Sequence, residues 1–277
     1  MAYHVRSPMA PAPQPPARID MPTSPASTAS PAIDLDQVNA QLESASPAEV
    51  IRWAADTFGV APEGGLVMSS SFGVQSAVML HLVTQVVPEM PVIFIDTGFH
   101  FNETYRFADD LTKRLKLNLQ IYSAAESPSW FIARHGKLWE SEDPADLNRY
   151  DLLRKVEPMN RALSELNATA TLAGLRRQQT NHRANLRKVE GQDGRYKVAP
   201  ILDWSTKDVH DYLKKHDLPY HPLREEGYAS IGDWHSTQPI TAGQDERAGR
   251  FKGLKQECGL HLPLSEDENE SRSSSWL

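Results

Sequence analysis

An alternation of short apolar runs with stretches of helical spacing narrows the fold more than any other feature of this chain. Gly65-Leu66-Val67-Met68-Ser69-Ser70 is a continuous apolar run that ends in small residues, short and bounded as a buried strand is. Val74 to Val87 then carries its apolar residues at helical intervals, Pro91-Val92-Ile93-Phe94-Ile95-Asp96 is a second strand, and Asn102 to Leu115 a second helix. Leu119-Gln120-Ile121-Tyr122 and Ala170-Thr171-Leu172-Ala173-Gly174 read as further strands. Strands separated by helices are joined by crossovers, which makes the sheet mostly parallel and covers both of its faces with helices. The expected fold class is therefore α/β, a doubly wound, mostly parallel sheet. Ser46-Pro47-Ala48-Glu49 caps and starts a helix that runs through Phe58. Trp204-Ser205-Thr206-Lys207-Asp208-Val209 starts another, with Ser205 as the cap and Asp208 closing the box, and Leu218 to Leu223 is a rigid loop after it.

The ends of the chain differ in character from this middle. Residues 1–32 hold Pro8, Pro11, Pro13, Pro15, Pro16, Pro22, Pro25 and Pro31 among Ala and Ser, a composition that cannot bury a core and is expected to be a disordered extension. Residues 33–240 are expected to form the α/β domain, and 241–277 a mobile tail whose last part, Ser265 to Leu277, is acidic and Ser-rich. No apolar run approaches the roughly 20 residues needed to span a bilayer, so a membrane span is not expected. The N-terminus has no continuous apolar stretch of the secretory kind. A net charge of −7 argues against non-specific nucleic-acid binding, so an anionic ligand must be met by a local basic cluster. The single cysteine, Cys258, cannot form an internal disulfide, which agrees with a reducing cytoplasm.

A lone thiol is most often inert, but the surroundings of Cys258 favour reactivity. Polar neighbours suit an accessible segment, Lys255 and His261 favour a thiolate, and Gly259 leaves the backbone free to bend. Ser69-Ser70-Ser71-Phe72-Gly73-Val74-Gln75-Ser76 lies between a strand and a helix, where unpaired N–H groups and the positive end of the helix dipole suit a phosphate. It lacks both the Gly-Lys-Ser/Thr ending of a Walker loop and the Gly-x-Gly-x-x-Gly pattern, and as a bare pattern it is more often a plain turn. Asp96, at the end of the second strand, borders the same crevice as a ribose or adenine contact or as a turn residue. Basic pairs recur at Arg154-Lys155, Arg176-Arg177 and Arg247 to Lys252. Each alone suits a solvated face; together, at strand ends and beside a thiol, they suit a polyanion. His210, His216, His221 and His235 lie near one another in sequence without metal-ligand spacing. Trp130-Phe131 and Met159 read as core residues.

The serine turn resembles the modified phosphate loop of the adenine-nucleotide alpha-hydrolase-like superfamily, with Gln75 where that pattern has Asp. The departure speaks against cleavage of ATP to AMP and pyrophosphate. Over roughly residues 45 to 262 the chain resembles the 3′-phosphoadenylyl sulfate (PAPS) reductases of the assimilatory sulfonucleotide reductase family. The resemblance rests on the serine motif, Phe94-Ile95-Asp96-Thr97-Gly98-Phe99-His100-Phe101, Lys155-Val156-Glu157-Pro158-Met159, Gly174-Leu175-Arg176-Arg177-Gln178-Gln179, Tyr228-Ala229-Ser230-Ile231-Gly232-Asp233 and Glu257-Cys258-Gly259-Leu260-His261. It implies that Cys258 is the catalytic nucleophile on a tail that closes over the nucleotide, aided by His261. Further implications are that the phosphosulfate rests on Ser69, Ser70, Ser71 and Gly73, and that Lys155, Arg176, Arg250 and Lys252 meet its charge. An external dithiol, thioredoxin or glutaredoxin, would complete the reaction, and a homodimer is a family-level expectation.

The branch of this family that acts on adenylyl sulfate (APS) carries a Cys-Cys pair before Arg-Lys-Val and a later Cys-x-x-Cys, which together hold a 4Fe–4S cluster. Tyr150-Asp151 stand at the first pair here, and Asp233 and Ser236 at the second. The resemblance therefore implies no bound cofactor and a preference for PAPS. The alternatives are a cluster-free APS reductase and a nucleotidyltransferase or nucleotide-binding protein of the same superfamily.

Overall fold

The computed structural model describes residues 33–192, 194–241 and 249–250. In chain order the described elements are α1 (Leu35–Leu42), α2 (Pro47–Phe58), β1 (Leu66–Ser69), α3 (Ala77–Val86), β2 (Pro91–Asp96), α4 (Asn102–Leu115) and β3 (Asn118–Ser123). There follow α5 (Pro128–His135), α6 (Pro144–Asp151), a π-helical turn (Leu152–Val156), α7 (Glu157–Glu165), β4 (Ala170–Leu172), β5 (Val189–Gln192), β6 (Arg195–Val198) and α8 (Thr206–Lys215). Among the described residues the strands form one sheet in the order β3-β2-β1-β4-β6-β5. All pairings are parallel except β5 with β6, a hairpin closed at Gly194 with φ 74°. The chain moves outward from β1 through β2 to β3, then restarts on the other side of β1 with β4. The β1–β4 border is therefore the topological switch point, where open α/β sheets bind ligands.

Strand alternation divides the core into two faces. Leu66 and Met68 point with Val92, Phe94 and Leu172 into a large core filled from α2, α3, α4 and α8 by Ile51, Leu80, Leu111 and Leu213. Val67, Ile93 and Ile95 point the other way and meet Ala162 of α7. Helices thus cover both faces, as the apolar run in β1 requires. Leu80 is fully buried, so Leu80→Ala would cost about 2–5 kcal/mol. Among the described residues no helix is long and apolar enough to cross a membrane.

Local chemistry explains where elements start. Ser46 accepts from the Glu49 N–H while Glu49 accepts from the Ser46 N–H, and Ser205 and Asp208 do the same at α8. The helix expected from Val74 begins instead at Ala77. Phe72 sits at φ 48°, outside the helical region, with its ring buried edge-on against Phe94, and the Val74 carbonyl accepts from the distant His221 N–H at 3.1 Å instead of from a helical donor. Gly73 to Ser76 then makes a turn in which the Ser76 N–H donates to the Gly73 carbonyl at 3.1 Å. The expected extension at 1–32 and most of the expected tail at 241–277 lie outside the described residues.

Candidate functional site

At the carboxyl ends of β1, β2 and β4 a cavity of about 240 Å³ opens at the switch point. Its floor is the serine turn. The Ser70 N–H continues the ladder to the Ile93 carbonyl at 3.0 Å, and its hydroxyl accepts from the Phe72 N–H at 3.2 Å. Ser69, Ser71 and Gly73 line the cavity beside it. Ser76 also lines it, and its buried hydroxyl has no hydrogen-bond partner among the described residues.

One wall follows β4. Arg176 is almost fully buried; its guanidinium donates to Gln75 Oε1 at 2.8 Å and to Thr206 Oγ1, at the start of α8, at 3.4 Å. The residue that departs from the superfamily pattern, Gln75, is therefore a partner of an arginine on the cavity wall. Gln179 accepts from the Arg176 N–H and from the Arg183 guanidinium, and both Gln179 and Arg183 line the cavity.

The opposite wall is built around a buried carboxylate. The π-helical turn between α6 and α7 carries Arg154 and Lys155, and such turns recur at functional sites. Arg154 is buried and donates to the carbonyls of Thr97 and Glu126, fixing the turn after β2. Lys155 Nζ donates to Asp151 Oδ1 at 2.8 Å and to Asp233 Oδ2 at 2.9 Å. Asp233, with no exposed surface, also accepts from the hydroxyls of Thr97 and Tyr150, and His100 Nδ1 lies 3.8 Å away. Burial opposes its charge, but Lys155 above all, with His100, His235 and the Thr97 hydroxyl, holds Asp233 well below the usual carboxylate range. Because Tyr150 OH donates to Asp233, it accepts from His235 Nε2 at 3.0 Å, so the His235 proton resides on Nε2. Burial, with Lys155 and Arg250 adding to it, pushes His235 down to about 4 against the opposing pull of Asp233.

A loop from Ala229 to Asp233 forms the roof, held to the turn after β2 by a bridge between His100 and Asp233 and by the Trp234 N–H to the Phe99 carbonyl at 2.9 Å. Arg250 reaches the roof from the far end of the chain. Thr237 and Arg250 form an antiparallel bridge, and the Gln238 N–H donates to the Gly249 carbonyl at 2.9 Å. Arg250 is buried and lines the cavity.

Of the residues singled out in the sequence, Ser69, Ser70, Ser71, Gly73, Lys155, Arg176 and Arg250 therefore meet on one cavity. Asp96 does not line it: its Oδ1 accepts from the Tyr105 hydroxyl at 2.7 Å and from the Gly98 N–H at 2.8 Å, which is turn duty. Lys252, Cys258 and His261 lie outside the described residues. Tyr150, Asp151, Asp233 and Ser236, read from sequence as standing at cluster-ligand positions, converge around Lys155 and the Asp233 backbone. The four histidines go to separate places: His210 to Tyr220, His216 beside His81, His221 to Thr104 and His235 to Tyr150. Phe131 is fully buried and Met159 packs on the Val67–Ile93–Ala162 core while also lining the cavity; Trp130, at 61% exposed, corrects the expectation of a core residue. The sequence pointed to no site role for Thr97, His100, Gln179 and Arg183, and to Asp233 only as standing where another branch has a cluster ligand. All but Arg183 lie inside the motifs that carry the family resemblance; Arg183 lies outside them.

Lys155, Arg176, Arg183 and Arg250, with hydroxyls at the start of a helix, suit a ligand bearing several negative charges. The comparisons agree with that chemistry. Residues 65–239 match the model of the phosphoadenosine phosphosulfate reductase domain. A phosphoadenosine 5′-phosphosulfate reductase of Synechocystis is 58% identical over 246 residues, covering 88% of this chain and 97% of its own. One from Salmonella choleraesuis is 52% identical over 227 residues, covering 82% and 91%. The crystal structure of a phosphoadenylyl-sulfate reductase from Candida auris, a phosphate complex, superposes with a TM-score of 0.64 at 36% identity, covering 74% of this chain and 96% of that one. A Candida glabrata FMN adenylyltransferase, at 14% identity and a TM-score of 0.51, shares the fold alone.

Proposed function

The chain belongs to the phosphoadenosine phosphosulfate reductase family, and on that footing we propose 3′-phosphoadenylyl sulfate as its substrate, Cys258 as its nucleophile and a thioredoxin-type dithiol as its reductant. It is a sulfonucleotide reductase of the assimilatory type. What carries the finer reading is the meeting of Lys155, Arg176, Arg183 and Arg250 on a cavity at the switch point, with Arg250 anchored at the base of the segment that bears Cys258. Cys258 lies eight residues beyond Arg250, and eight extended residues reach at most about 26–29 Å, enough to bring a thiolate to a ligand in the cavity.

In the proposed step the Cys258 thiolate attacks the sulfonate sulfur. The S–O bond to the 5′-phosphate breaks, and adenosine 3′,5′-bisphosphate leaves with the electron pair, producing enzyme S-sulfocysteine. The four basic side chains meet the charge that builds on the leaving phosphate. A thiolate of the dithiol then attacks Cys258 Sγ and expels sulfite, and its second thiol closes a disulfide on the carrier and returns Cys258 as a thiol. The dithiol gives up two electrons, which account for the reduction of sulfate sulfur to sulfite. His261 is read as a tuning group for Cys258, and Lys252 as a further charge for the nucleotide.

Intact mass spectrometry after mixing the protein with PAPS alone tests the reading. A gain of about 80 Da, lost on adding reduced thioredoxin and absent in Cys258→Ser, is the expected result for –SO₃ transfer. Sulfite production by Cys258→Ser would overturn the nucleophile, and a higher kcat/KM for APS than for PAPS would overturn the substrate.

A further inference from the structure

Asp233 joins three separate parts of the chain at one buried point. Its carboxylate takes the Thr97 hydroxyl from the turn after β2, the Tyr150 hydroxyl from α6, and the Lys155 ammonium from the π-helical turn. Its backbone belongs to the roof, where it bridges to His100 and accepts from the Ser236 N–H at 3.1 Å. Lys155 and the roof residues Ala229 to Gly232 all line the cavity, so this carboxylate fixes an ammonium on one wall relative to the cover above it. Two of the three ammonium donors are committed to Asp151 and Asp233, which lie at 2.8 and 2.9 Å. Those two contacts fix where the positive charge sits and remove its freedom to swing on a four-carbon stem.

We propose that Asp233 is a positioning residue for the sulfonucleotide reaction, holding the Lys155 ammonium and the Ala229–Gly232 roof in the geometry that receives the anionic ligand. The inference rests on the substrate reading above and adds to it a residue that does not itself neutralise the ligand. A negative charge on the wall of a site for a polyanion works against binding unless a cation faces it, and Asp233 lies 2.9 Å from the Lys155 ammonium, which it shares with Asp151. The charge of Asp233 therefore acts through Lys155.

A double-mutant cycle separates positioning from plain structural support. Asp233→Asn keeps the size and the acceptor for Thr97 while removing the charge; Lys155→Met removes the cation. Steady-state sulfite formation from PAPS with reduced thioredoxin is measured for both, for the double variant and for the wild type. Affinity for adenosine 3′,5′-bisphosphate is measured by calorimetry on the same four proteins. Each single variant is expected to lose about tenfold or more in kcat/KM, and the double variant to fall within about twofold of Lys155→Met alone. Additive losses, or an Asp233→Asn enzyme within about twofold of wild type, would overturn the inference. Should Asp233→Asn not fold, Tyr150→Phe replaces it, since it removes one donor to the carboxylate without changing charge; the same non-additivity with Lys155→Met is expected, and additivity again overturns the inference. A wild-type protein that makes no sulfite from PAPS would count against the substrate reading, whereas an active wild type with additive variants would count against Asp233 alone.

Discussion

The guanidinium of Arg250 fills the space that a side chain on Gly232 would need, with Nη1, Nη2 and Cζ all in the path of an added β-carbon. This close approach brings the last described residue of the chain against the roof of the cavity. Gly232→Ala would therefore displace the far end of a flexible side chain and leave the backbone alone. The expected melting temperature lies within about 2 °C of wild type. Affinity for adenosine 3′,5′-bisphosphate, read by calorimetry, is expected to fall about tenfold, in line with losing one hydrogen bond to a charged group. Unchanged affinity would remove Arg250 from the ligand contacts. At Gly249 the added β-carbon meets the Gln238 backbone carbonyl, which cannot yield, so Gly249→Ala is expected to break the strand pair and lower turnover as well.

Arg176 is held from two sides, by Gln75 from the serine turn and by Thr206 from α8, so its fork is set before any ligand arrives. A lysine offers a point charge without that fork. Arg176→Lys is expected to lower kcat/KM for PAPS by about tenfold to a hundredfold, equivalent to about 1.4–2.7 kcal/mol of transition-state stabilisation. Gln75→Glu sets a carboxylate against the same guanidinium and is expected to raise KM more than it lowers kcat. Wild-type kinetics in both variants would remove this wall from the site.

The capping box of α8 links stability to the same wall, because Ser205 precedes Thr206. Ser205→Ala removes the acceptor for the Asp208 N–H and is expected to cost about 1 kcal/mol. A urea titration would show this as a lower midpoint with an unchanged slope. No shift in midpoint would mean that the helix start is held by other contacts.

The parts of this architecture that sequence reached are those set by local chemistry. β2 and α4 have the bounds the residues suggested, since an all-apolar strand and an amphipathic period need no distant partner to be recognised. Both capping boxes formed as written in the sequence. The late start of α3 was hidden because the turn before it is held by distant partners, the Val74 carbonyl by the His221 N–H and Gln75 by Arg176. The hairpin of β5 and β6 was hidden because its short strands are half polar and gain their place by pairing at the edge of β4. The basic residues of the site were visible as pairs, but their distribution was not. Arg154 turned inward to hold backbone carbonyls while its neighbour Lys155 reached the cavity, a division made by the π-helical turn. Asp96 was readable as a ligand contact or as a turn residue because it ends a strand at the crevice, and its Oδ1 serves its own turn and the Tyr105 hydroxyl. Asp233 stood in a quoted motif, but its partners are 78 to 136 residues away in sequence, and no spacing rule reports such a meeting.

His221 provides a pH dependence that can be derived from its hydrogen bonds. Nδ1 accepts from the Leu223 N–H at 3.2 Å, so the single proton of the neutral ring is on Nε2, facing Thr104 Oγ1 at 3.1 Å. A second proton would have to enter on Nδ1, against a backbone donor, inside a site with 1% exposure. Burial accordingly pushes His221 down from 6.5 to about 4. The unfolded chain binds this proton near 6.5 and the folded chain only near 4, so the unfolded state holds more protons between those values and stability rises with pH across them. The contribution is complete above 6.5 and is lost as pH falls, by about 2 kcal/mol at pH 5 and up to about 3 kcal/mol near pH 4. His235, also pushed down to about 4, acts in the same direction. His221→Asn keeps an acceptor for the Leu223 N–H but has no proton to gain. Urea midpoints compared at about pH 7.5 and about pH 5 are therefore expected to differ less in His221→Asn than in wild type. Equal pH dependence in the two proteins would show that His221 protonates as easily folded as unfolded, and the hydrogen-bond assignment would fail with it.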